Sequence, residues 1–146
     1  MAIADVPQAI QLALGPAFLL TGIAGLLNVM TGRLARIIDR GRLLAEQPGS
    51  LPGLSDEARQ VELRGLERRR SHASAAITAC TAAALLVCLV ILALFLAELV
   101  DVPLRGVVGA LFAASTLTLV VGLGYFLREV QLATQMVRIP GVRDPR

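Results

Sequence analysis

Three stretches of this chain carry no charged side chain: Ile10–Met30, Ala73–Ala97 and Val107–Leu127. Each has about the 20 residues that a helix needs to cross a hydrocarbon layer of roughly 30 Å. A water-soluble domain spreads about a quarter of its residues as charges over its surface. Here charged residues are 17% and hydrophobic ones 55% of 146, and the charges are segregated between the blocks. A soluble core of this size has no use for three such blocks. The chain is therefore expected to be all-α and integral to a membrane, one membrane domain with spans at about 10–30, 73–97 and 107–127.

The first block does not end at a breaker. Leu26 to Leu44 runs from apolar residues straight into Arg33, Arg36, Arg40 and Arg42, with Gly32 as its weakest helical position. One helix leaving the membrane and continuing to about Glu46 accounts for this. Gln47-Pro48-Gly49-Ser50-Leu51-Pro52-Gly53 then forces a loop. Ser55 is a suitable N-cap, and Asp56 and Glu57 suit the positive end of a new helix. No breaker separates that helix from the second span. The extensions of the first two spans are expected to pair as a cytoplasmic antiparallel helical hairpin over about 31–72, with Ala58, Val61 and Leu66 facing Ile37, Leu43 and Leu44. Asp39 can pair with Arg36 or Arg42 at three-residue spacing, each pair contributing only a few tenths of a kcal/mol if exposed. The third helix should reach about Met136, leaving 138–146 as a tail.

Orientation follows from the arginines. Nine lie between residues 33 and 70, one in the turn at 102–105, and none before the first span. Basic residues stay on the cytoplasmic side, so the N-terminus is expected outside and the C-terminus in the cytoplasm. Met1–Gln8 lacks the positive start of a secretory signal, and an uncleaved first span is expected.

Within the first span, Pro16 removes a backbone donor and should kink the helix. Thr21, Gly25, Asn28 and Gly32 fall on one face, small and polar, of the type that packs closely on another helix. In the second span Ser74, Thr78, Thr81, Leu85 and Cys88 form a similar stripe. Glu98 and Asp101 mark the outer surface.

The stretches Ile10–Ile23 and Leu26–Arg40, with Phe126-Leu127-Arg128-Glu129-Val130 near the other end, resemble a family of small bacterial membrane proteins, the domain of unknown function 2721 family. The combination of Asn28, Arg33, Arg36, Asp39 and Arg40 carries most of the resemblance. It implies a three-span membrane protein and supplies no catalytic residues.

Enzymatic chemistry lacks its parts, and no enzyme is expected. No Ser/His/Asp or Cys/His set is spaced for nucleophilic catalysis, and no phosphate-binding glycine loop follows a strand. His72 is the sole histidine. Cys80 and Cys88 are two helical turns apart, about 12 Å along the axis, too far for a mutual disulfide. No metal and no cofactor are expected. The arginines flank apolar helices without an aromatic platform, so nucleic acid is not an expected partner. The expected partners are the lipid bilayer, further copies of the chain, and a possible cytoplasmic protein.

Two readings remain, both placing the chain in a bacterial inner membrane. In the first, a homo-oligomer forms an ion or small-solute pore lined by the first helix, with Pro16, Thr21, Gly25 and Asn28 as pore-lining or packing residues. Arg33, Arg36, Asp39, Arg40 and Arg42 would then form a cytoplasmic ring or touch lipid headgroups. In the second, the chain is a non-conducting scaffold whose hairpin binds a protein partner.

Overall fold

The computed structural model describes residues 6–46, 56–100 and 103–136. The loop expected at 47–53, the Ser55 cap, Asp101 and the tail lie outside these residues, as do the side chains of Ala58 and Glu98. The described residues form three α-helices: α1 (Val6–Glu46), α2 (Asp56–Val100) and α3 (Arg105–Met136). Their 41, 45 and 32 residues exceed the span of a hydrocarbon layer. Each is long and apolar enough to cross a membrane. Their outward faces carry Phe18, Leu85, Leu117 and Val120, and at most 22% of any helix's most apolar window is buried. Water would not tolerate so much exposed apolar surface; lipid does.

α1 stays helical through Pro16, whose missing donor costs one backbone hydrogen bond at most. α3 starts at a tight turn, where the Val108 amide donates to the Leu104 carbonyl at 2.9 Å. α2 lies between α1 and α3, which touch each other little.

The packing has a seven-residue rhythm on every helix. Pro16, Ile23, Met30, Ile37 and Leu44 are buried on α1; Leu66, Ala73, Cys80 and Val87 on α2, with Ala76, Ala83 and Val90 beside them; and Ser115, Gly122 and Glu129 on α3. A strict repeat of seven keeps one stripe of each helix facing its neighbour in a left-handed supercoil. Because α2 is covered on two sides, its alanines let both partners come close. α3 comes close to α2 at Gly122: a Cβ there would lie 2.8 Å from Cys80 Sγ and 3.3 Å from the Ala76 carbonyl oxygen.

The two faces of small and polar residues lie outside this rhythm within one chain. Ser74, Thr78, Thr81, Leu85 and Cys88 are exposed, one helical position away from the buried stripe. The hydroxyls of Thr78 and Thr81 donate to the Ser74 and Ile77 carbonyls one turn back, so they need no partner on another helix. On α1, Thr21, Gly25, Asn28 and Gly32 are likewise exposed. In the polar halves of α1 and α2, Ile37, Leu44, Leu66 and Ala73 form one buried cluster, flanked by Leu34 and Leu63. The expected contacts of Leu43 and Val61 are absent, both side chains being exposed.

Candidate functional site

The third repeat position on α3 places a carboxylate where Ser115 and Gly122 face the other helices. Glu129 is 1% exposed. Small residues above it draw α3 against α2, and the seven-residue phase then leaves its side chain no route to solvent. Ionised, it needs compensation, since an uncompensated buried charge costs several kcal/mol.

The other two helices supply that compensation. Arg69 of α2 donates to Oε1 of Glu129 from Nη2 at 3.0 Å and from Nε at 3.3 Å. Arg33 of α1 donates from Nη1 to Oε2 at 3.5 Å, and its guanidinium lies 5.5 Å above the centre of the Phe126 ring. One charge from each helix thus meets at one level, where the charge-free segments end. Such multiple charge-assisted bonds are directional as well as strong, and they fix the three helices in rotation and in height.

The surroundings extend the clamp. His72 accepts no part in it; its Nδ1 sits 2.8 Å from the Arg68 carbonyl, a bond that requires the proton on Nδ1. The ring stands edge-on to Tyr125 of α3, with centroids 6.3 Å apart. One repeat further from the apolar segments, Arg40 of α1 pairs with Glu62 of α2 at 2.9 Å. Beside these pairs runs an open groove of about 560 Å³, lined by Asn28, Gly32, Arg33, Arg36, Arg40 and Arg69 among others.

The residues singled out from the sequence separate into groups. Arg33 and Arg40 turn to other helices and make ion pairs. Arg36, Asp39 and Arg42 are exposed, and among the described residues none makes an ion pair, so the pairing that the spacing of Asp39 allows is not made. The reason is that Arg36 and Arg42 project to solvent, where a pair with Asp39 gains little over hydration. Pro16 is buried; Thr21, Gly25 and Asn28 are exposed. The Thr21 hydroxyl donates to the Ala17 carbonyl. Neither Glu129 nor Arg69 is among the site residues singled out from the sequence. The signal was present in the spacing Ser115, Gly122, Glu129.

Chemically, the arrangement can hold helices together and present cations to an anion. Among the described residues no three of His, Cys, Asp and Glu gather as a metal site would need. Over residues 13–139 the chain matches the family described as Protein of unknown function (DUF2721). No curated protein and no solved structure matches it.

Proposed function

The chain belongs to the DUF2721 family of proteins of unknown function, and from that footing we propose that it is a non-enzymatic protein of the bacterial inner membrane whose copies assemble into a pore. Ions or small solutes would pass along the face of α1 that bears Thr21, Gly25 and Asn28. The observation behind this is that face itself. It is exposed, and a Cβ at Gly22, Gly25 or Gly32 would meet nothing within 4 Å. The Asn28 amide makes no hydrogen bond to the described residues. An unpaired amide against lipid is costly, and either a neighbouring copy or a column of water removes the cost. One chain cannot enclose a conduit, because α1 and α3 flank α2 in place of closing around an axis. In this orientation the polar halves of α1 and α2 form the cytoplasmic hairpin, and Arg36 and Arg42 recur as rings at the inner mouth, favouring anions.

Ion flux into liposomes holding a verified oligomer tests the proposal. Conductance that Asn28→Leu reduces while the oligomer persists supports it. Absence of conductance for every small ion overturns it.

A second reading is favoured by the ion pairs. Glu129 with Arg33 and Arg69, and Glu62 with Arg40, stiffen the polar halves into a stalk with Arg36, Arg42 and Arg64 exposed. Such a stalk suits a scaffold. A crosslinker placed at Arg64 that captures one defined cytoplasmic protein, in a non-conducting assembly, would favour the scaffold.

A further inference from the structure

The groove beside Glu129 is richer in positive charge than its internal pairs require. Four guanidiniums line it, from Arg33, Arg36, Arg40 and Arg69, and the Asn28 amide stands at its apolar end. Two carboxylates answer them: Glu129 pairs with Arg33 and Arg69, and Glu62 with Arg40. A double positive excess remains, and Arg36 has no acidic partner among the described residues. We propose that this groove is a binding site for the phosphate of an anionic phospholipid.

Three observations point there. First, guanidinium forks match phosphate oxygens two at a time, which an ammonium cannot do, and Glu129 already holds two of the forks in place. Their orientation costs little on binding, which is how preorganisation raises affinity. Second, the groove sits at the right depth. Arg33 and Arg69 lie just beyond the charge-free runs of α1 and α2, so in a bilayer they stand at the headgroup layer. Third, the groove changes character along its length. From Arg40 to Asn28 is about 18 Å along α1. The arginines occupy the polar part, while Asn28 and Val29 border the apolar part. The Asn28 amide is a donor at the height of the lipid's ester carbonyls. A soluble phosphate would use the arginines and leave the apolar end empty. The inference needs the helices to be in a membrane with this groove open to lipid. It gives Asn28 and Arg36 a lipid partner in place of the pore lumen, so it stands whether or not the assembly conducts and does not rest on the pore reading.

Native mass spectrometry of the purified full chain, with phosphatidylglycerol, phosphatidylcholine or inorganic phosphate added, decides the matter. The wild type should retain phosphatidylglycerol in preference to phosphatidylcholine. Arg36→Gln should weaken that retention about five-fold, the effect of one interfacial arginine. Because Arg36 makes no ion pair among the described residues, the variant's unfolding midpoint without lipid should equal the wild type's. Arg64→Gln, exposed and away from the groove, should change nothing. Equal retention of the two lipids, or a preference untouched by Arg36→Gln, overturns the proposal. So does displacement of phosphatidylglycerol by millimolar inorganic phosphate, which would make the groove a soluble-phosphate site.

Discussion

Glu129 of α3 joins all three helices through its pairs with Arg33 of α1 and Arg69 of α2. Its carboxylate is buried at 1% exposure between Arg69 and Arg33. Removing one member of a buried ion pair strands the others, at a cost of about 3–5 kcal/mol. Glu129→Gln should therefore lower the midpoint of thermal unfolding in detergent substantially. Arg33→Gln should cost less, about 1 kcal/mol, because that side chain is 40% exposed and 3.5 Å away. Equal effects would mean that the clamp is not organised around Arg69. The glycines give a second contrast. Gly122→Ala puts a methyl 2.8 Å from Cys80 Sγ and against the α2 backbone, and overpacking of this kind costs about 1–3 kcal/mol. Gly22→Ala meets nothing within 4 Å and should be neutral or slightly stabilising in the same measurement. At this scale the sequence was only partly legible. Arginines at a span's end are visible in one dimension. Which of Arg68, Arg69 and Arg70 turns inward depends on the rotation of α2 against α3, which Gly122 and Cys80 set.

The helices themselves were the most legible level. Their ends at Glu46, Asp56 and Met136 fall where the sequence predicts, because breakers and caps act locally. The faces were read less well. Within one chain the small and hydroxyl faces are not the seams, and threonines such as Thr78 and Thr81 bond back to their own helix. The seven-residue stripe was the better guide, and it fixes the register of the polar halves. Leu44 is 1% exposed and Leu43 39%. Leu44→Ala should cost about 2–5 kcal/mol and Leu43→Ala about 0.5 kcal/mol, read from denaturant unfolding of the polar half. A reversed order would show that α1 is rotated from the orientation described.

Across the whole molecule, the described residues form two helices, α1 and α3, packed on a central α2, with apolar flanks for lipid and a charged clamp at one end of the apolar layer. Its membrane character was plain from three charge-free blocks, since nothing else explains so much exposed leucine, valine and phenylalanine. Assembly belongs to this scale too. If α1 is the contact between copies, Gly25→Leu should leave the chain folded, because among the described residues nothing outside the local helix backbone lies within 4 Å of that Cβ, and should shift the assembly toward monomer in crosslinking. An unchanged oligomer would place the contact elsewhere. The account stands most directly on where the two connections lie. In a variant with Cys80 and Cys88 replaced, a single cysteine is placed at Pro103 or at Gly49 and exposed to a membrane-impermeant maleimide in cells with a permeabilised outer membrane. The account predicts labelling at 103 with the inner membrane intact, and at 49 only after it is broken. Labelling at 49 with the inner membrane intact would contradict it.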